Sequence, residues 1–222
     1  MKKFLLIIFV LSFTISWATA QETETFKKKG YTLIFKNNYP NFDGALKERM
    51  VKTFFKVYPK LAADFNKNTK KEVVFHIDTA YKGVAATGGG RIVYNPDWFK
   101  KHPGDIDVVT HEVMHVIQSY GGGSGPGWLT EGIADYVRYK YGVDNAGANW
   151  TLTAFKPAQS YKNSYRITAH FLNWLELNGN QGIVLKLDGA MRNHNYKATL
   201  WSDITGKTVD ELWTAYAANP GS

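Results

Sequence analysis

The chain contains no cysteine among its 222 residues. That single absence excludes a disulfide framework, Cys-ligated zinc, iron–sulfur clusters and thiol catalysis. Any metal must be held by His and carboxylate groups. Long apolar runs are also missing: beyond residue 20 nothing approaches the roughly 18 apolar residues that a membrane-crossing helix needs. Acidic residues are scarce relative to basic ones, 19 against 27, so the formal net charge is +8. The basic residues do not form a recognition element. Lys27, Lys28 and Lys29 cluster near the N-terminus, and Lys60, Lys67, Lys70 and Lys71 lie around the first long apolar-periodic segment. No nucleic-acid-binding motif accompanies them, so the charge reads as a surface property and no nucleic-acid partner is expected. With 44% hydrophobic and 21% charged residues, the composition is that of a folded chain with a substantial core.

Residues 1–20 read as a secretory signal peptide. Lys2 and Lys3 give a basic start, Phe4 to Trp17 is apolar and uncharged, and Ala18-Thr19-Ala20 forms a small-residue cleavage signal. The apolar run is too short for an anchor, and no lipid-accepting Cys follows it. The reading is therefore of an exported protein, secreted or periplasmic, with no membrane anchor. Lys2 and Lys3 leave with the signal, so the remaining 202 residues have 25 basic and 19 acidic side chains and a charge of +6. Residues 21–222 are expected to make one domain.

Residues 21–29 read as a loose polar lead-in. Tyr31–Phe35, Val73–Ile77 and Arg91–Tyr94 read as strands. From Ala45 to Phe65 apolar residues recur at helical spacing, with Pro59 expected to kink that helix or start a second one. A helix is predicted after Pro103, with Asp105 as its N-cap, and a glycine-rich stretch from Gly121 to Gly127 ends it. Leu129 to Tyr141 follows as a helix. Beyond Tyr161 the pattern is helical over about 163–178, 181–192 and 207–218. Strands come early and helices late, so the fold class is α+β: an α+β part over about 30–120 and a helical part over about 121–222.

The chemistry is concentrated in His111-Glu112-Val113-Met114-His115, an H-E-x-x-H pattern. Residues at i and i+4 share one helix face, so two imidazoles there are able to bind one Zn²⁺. Glu112, rotated off that face, is placed to act as general base on a metal-bound water. A His₂ site needs a third ligand. The metzincin pattern requires Gly at 118 and His at 121, but the chain has Gln118 and Gly121. Downstream, Trp128-Leu129-Thr130-Glu131-Gly132-Ile133-Ala134-Asp135 offers Glu131 as the ligand. Asp135, one turn on, is placed to accept a hydrogen bond from His111 and fix its tautomer. The layout is that of a gluzincin. Zinc, one ion per chain, is expected from the ligand types, although other divalent metals suit a His₂Glu set.

The stretches HEVMHVIQ, WLTEGIADYVR, SYRITAHFLNWLE and GKTVDELWTAY resemble, in order, the basic secretory protein family. The resemblance runs from about Tyr31 to Tyr216 and is strongest from Gly83 onward. It implies a zincin-like metallopeptidase fold, with His111, His115 and Glu131 as metal ligands, Glu112 as the catalytic carboxylate and a peptide or protein as substrate. It also implies that GVAATGGGRIVYN precedes the active helix as an edge strand for an extended peptide. Arg91, Ile92, Val93 and Tyr94 are the substrate-binding candidates there, and a plain hairpin turn is the competing reading of the same residues. A peptidase also needs a donor for the oxyanion. Tyr165 is the first choice, with Tyr161 and His170 as alternatives. His76, His102 and His194 read as structural or exposed, and Trp174, Trp201 and Trp213 fall in apolar helical patterns that favour core packing. The reading is of a secreted zinc-dependent endopeptidase, against a zincin-like module that holds peptide or glycan without cleaving it.

Overall fold

A computed structural model describes residues 22–221; the expected signal peptide, residues 1–20, lies outside the described residues. Five strands form one mixed sheet in the order β1-β2-β3-β5-β4. β1 (Glu22–Lys28) and β2 (Tyr31–Asn37) are an antiparallel hairpin turning at Lys29 and Gly30. β3 (Glu72–Ile77) runs parallel to β2, and β5 (Arg91–Tyr94) runs parallel to β3. β4 (Ala85–Gly88) pairs antiparallel with β5 and is the edge strand on that side.

Residues 22–28, expected to be a loose lead-in, are therefore a strand. The alternation Glu-Thr-Glu-Thr-Phe-Lys-Lys carries almost no apolar signal because β1 is a largely exposed edge; its order comes from pairing with β2. The β2–β3 parallel pair needs a crossover, supplied by α1 (Gly44–Asp64). The side chain of Asp43 caps α1 by accepting from Ala45 N at 2.8 Å. Pro59 lies within this one helix and neither breaks it nor starts another. Tyr58, Leu61 and Ala62 are buried like Phe54 and Phe55 a turn earlier, so the packed face continues through the proline and offsets its missing hydrogen bond. The buried rings of Phe54, Phe75 and Tyr94 connect α1, β3 and β5.

Short α2 (Pro96–Lys101) leads to α3 (Val108–Gln118). Asp105 does not cap α3. Asp107 directly precedes the helix, and its carboxylate accepts from Thr110 Oγ1 at 2.6 Å and from the main-chain N–H groups of Val143 and Asp144 at 2.8 and 2.6 Å. Asp105 instead accepts from Arg138 and from Trp98 Nε1. Every residue of α3 except His115 is buried. The helix stops at Ser119, whose φ of 49° is left-handed, and the glycine-rich segment reverses the chain into α4 (Gly127–Tyr141).

α5 (Tyr165–Leu177), α6 (Ile183–Arg192), α7 (Leu200–Thr205) and α8 (Val209–Ala218) complete the described chain. α7, with six residues, is too short to show a helical period in the sequence. α4 and α5 approach closely at Gly132, where a methyl group would stand 2.2 Å from Thr168 Cγ2. Trp201 is fully buried, and Trp174 and Trp213 pack against the core, as their apolar context implied. Large buried side chains of this kind each stabilise a fold by about 1.5–3 kcal/mol.

Candidate metal centre and active-site cleft

α3 and α4 meet along one line of side chains. Gln118 Nε2 donates to Thr130 O at 2.9 Å, His115 Nε2 lies 3.4 Å from Glu131 Oε2, and His111 Nδ1 lies 2.7 Å from Asp135 Oδ1. Earlier residues of α3 meet later residues of α4, so the two helices run in opposite senses. The glycine-rich reversal between them makes this possible.

Three atoms converge at the centre of that line: His111 Nε2, His115 Nε2 and Glu131 Oε2. Their separations are 3.1 Å between the imidazole nitrogens and 3.2 and 3.4 Å from each nitrogen to the carboxylate. Donors held about 2.0–2.1 Å from a tetrahedral centre stand about 3.3–3.4 Å apart, so the triangle fits a single small cation. The outer ring nitrogens are both engaged. His111 Nδ1 donates to Asp135, and His115 Nδ1 donates to Gln118 Oε1 at 2.7 Å. With those protons on Nδ1, the Nε2 lone pairs point at each other and at a carboxylate, an arrangement that calls for positive charge. The electrostatics agree. Burial disfavours the charged ring of His111, yet its hydrogen bonds with Asp135 and Glu131 push its pKa up to about 10. Burial likewise opposes ionisation of Glu131, but His111 and His115 hold its carboxyl well below the usual range. Among the described residues these three form the one His/Asp/Glu group spaced for a metal ion.

The centre opens into a cleft of about 1300 Å³. Glu112 lines it beside the triad and is held by β4: Thr87 Oγ1 donates to Glu112 Oε2 at 2.6 Å and lies 3.1 Å from Glu112 O. Tyr165 also lines it. Its ring is stacked on that of His111, 6.2 Å between centroids and 18° apart, and its phenol is half exposed. Ser164 and Tyr165 both have left-handed φ, 70° and 49°, which is uncommon for residues with side chains and clusters at functional sites. The nearby charge of Glu131, then burial, raises the phenol's pKa.

The alternatives to Tyr165 do not reach the cleft. Tyr161 is buried and donates to Asp210 Oδ1 at 2.7 Å, and His170 is bonded to Thr153 O at 2.9 Å. The strand expectation needs correction. Arg91, Ile92, Val93 and Tyr94 form β5, which is paired on both sides and so is not an edge. Ile92 and Tyr94 are fully buried, and Arg91 is bonded to His76 on β3. The open edge is β4, and the glycines form a tight turn to it, with Gly89 and Gly90 at φ 60° and 89°. The plain hairpin is thus present, with the edge on its other arm. Two residues at the site escaped the sequence reading, Thr87 and Gln118. Gln118 carried a usable signal, three residues after His115 on the same helix; Thr87 carried none.

Comparison with solved structures places the fold. The chain resembles a mutant M1 zinc metallopeptidase from Deinococcus radiodurans bound to a Tyr-Ser-Ala substrate, at 13% identity and TM-score 0.53, covering 89% of this chain and 51% of that one. It also resembles an aminopeptidase N family protein from Idiomarina loihiensis, at 11% identity and TM-score 0.57, covering 89% of this chain and 46% of that one. The chain thus spans about half the length of these structures, and at such identities the likeness is one of fold, zincin-like α+β. No curated protein matches it. The profile of the BSP family, described as peptidase of plants and bacteria, matches residues 18–216. Nearly the whole chain is covered, and it belongs to that peptidase family.

Proposed function

We propose that the chain is an exported zinc-dependent endopeptidase in which Glu112 is the general base. The observation that carries this reading is the convergence of His111 Nε2, His115 Nε2 and Glu131 Oε2 in a cleft that also holds Glu112. When bound there, Zn²⁺ supplies Lewis acidity and makes water acidic enough to be activated near neutral pH.

The rest of the work falls to the chain's own residues. Thr87 occupies Glu112 Oε2, which leaves Oε1 to take the proton of the attacking water and pass it to the leaving amine. Tyr165, beside His111, donates a hydrogen bond to the carbonyl oxygen as negative charge builds on it. β4 pairs with the extended substrate main chain; such pairing recognises no chain terminus, which favours endopeptidase action. Asp135 and Gln118 hold the two imidazoles in the tautomer that leaves Nε2 free for metal. The export reading rests on residues 1–20. No helix among the described residues is long and apolar enough to cross a membrane.

The test is metal analysis of the purified protein, paired with cleavage of a peptide library by wild type and Glu112→Ala. One zinc per chain in both proteins, with turnover lowered about 10²–10⁴-fold in the variant, is the expected result. Equal cleavage by the variant would overturn the mechanism. Zinc with no cleavage of any peptide by wild type would point to a binding module.

A further inference from the structure

β4 is a short strand with one partner, and its main-chain groups are not all used. Asn95 N donates to Val84 O, and the register pairs Ala86 with Val93 and Gly88 with Arg91. In an antiparallel ladder, bonded and non-bonded pairs alternate. Positions 84, 86 and 88 therefore bond to β5, while the N–H and C=O of Ala85 and Thr87 point out of the sheet. Tyr81 Oη already donates to Ala85 O at 3.0 Å. Thr87 is left with both main-chain groups facing the open edge, and its side chain projects from the face of the sheet onto Glu112.

We propose that Thr87 is a positioning residue: its hydroxyl holds the Glu112 carboxylate in the orientation for proton transfer, and its main chain ties that hold to the docking of substrate on β4. The proposal rests on the peptidase reading above. A hydroxyl donating to an ionised carboxylate makes a short, charge-assisted bond, and 2.6 Å is in that range. The same hydroxyl lies 3.1 Å from Glu112 O, so strand and helix are joined at the one residue whose side chain moves the proton. A substrate strand bonded to Thr87 N–H and C=O would restrain the residue that restrains the base. Positioning of this kind acts on the chemical step more than on ground-state binding.

Thr87→Val keeps a β-branched residue of nearly the same shape in the strand and removes only the hydroxyl; Thr87→Ser keeps the hydroxyl. In the zinc-loaded full protein, Thr87→Val is expected to lower kcat about tenfold with KM within about twofold of wild type. Metal content should be unchanged, and Thr87→Ser should return kcat to within about twofold of wild type. A crystal structure of Thr87→Val should show the Glu112 carboxylate turned away from β4. Wild-type kcat in Thr87→Val, failure of Thr87→Ser to restore it, or an unmoved Glu112 would each overturn the proposal. If wild type itself cleaves nothing, the peptidase reading has failed, and the position of Glu112 in the variant crystal still decides the role of Thr87.

Discussion

Asp135 Oδ1 lies 2.7 Å from His111 Nδ1, joining α4 to α3 one helical turn beyond the point where Glu131 meets the same imidazole. Both side chains are buried. Asp135→Ala should leave the ring free to rotate and its Nδ1–H unpaired. Zinc affinity should fall about 10–100-fold, as read by competition with a chromophoric chelator. An unchanged affinity would remove Asp135 from the metal centre.

Removal of metal should lower stability, because the three converging groups are then left without their cation. With free zinc at 100 times its Kd, the bound ion stabilises the fold by about 2.7 kcal/mol. A chelator should accordingly lower the Tm of wild type and leave that of Glu131→Gln, which lacks one ligand, where it was. Equal chelator shifts in both proteins would mean that the ion binds elsewhere.

Gly132 follows Glu131 directly and lies where α4 meets α5. Alanine there gains up to about 1 kcal/mol of helix propensity. The added methyl group, however, would sit 2.2 Å from Thr168 Cγ2, and Thr168 is pinned by its bond to Tyr161 O at 2.6 Å. Overpacking of this kind costs about 1–3 kcal/mol and outweighs the gain. Gly132→Ala should lower Tm by a few degrees, and adding Thr168→Ala should recover much of the loss. A Gly132→Ala protein more stable than wild type would show that the helices have room to part.

His76 should add a pH-dependent term to stability, away from the metal centre. Burial, then the charge of Arg91, holds its pKa below 6.5; Asp78 works the other way and Lys36 with Arg91. Because the folded pKa is the lower one, the unfolded chain binds more protons between the two values. Stability therefore rises with pH through that window and is lost as pH falls below about 6.5. Urea denaturation of wild type and His76→Gln at pH 7.5 and 5.5 should show the smaller acid loss in the variant. Parallel losses would exclude His76 as a source.

The candidate metal centre is legible because its spacing is local. His111 and His115 share a helix face by the i, i+4 rule, and Glu131 and Asp135 repeat that spacing one helix later. Gln118 stands at i+3 from His115 and is open to the same reasoning. Thr87 was hidden because its contact with Glu112 depends on sheet order, which no periodicity encodes. The same cause misplaced the edge strand. β4 precedes β5 in the chain but lies outside it in the sheet, and Ala-Ala-Thr-Gly has little strand character beside Arg-Ile-Val-Tyr. β1 was missed for a related reason: an exposed edge needs no apolar residues, so its pairing with β2 leaves no hydrophobic trace.

The sheet's two borders are chemically unlike. β1 carries Glu22, Glu24, Lys27 and Lys28 along seven residues, whereas β4 has four uncharged ones. Charged borders discourage stray strand pairing, so strand pairing between copies is opposed more on the β1 side than along the short border at the cleft. That border has few main-chain groups to offer. On the proposed peptidase reading, an arriving chain therefore gains little grip from backbone pairing, and discrimination between one peptide and another would fall to the side chains that line the cleft beyond it.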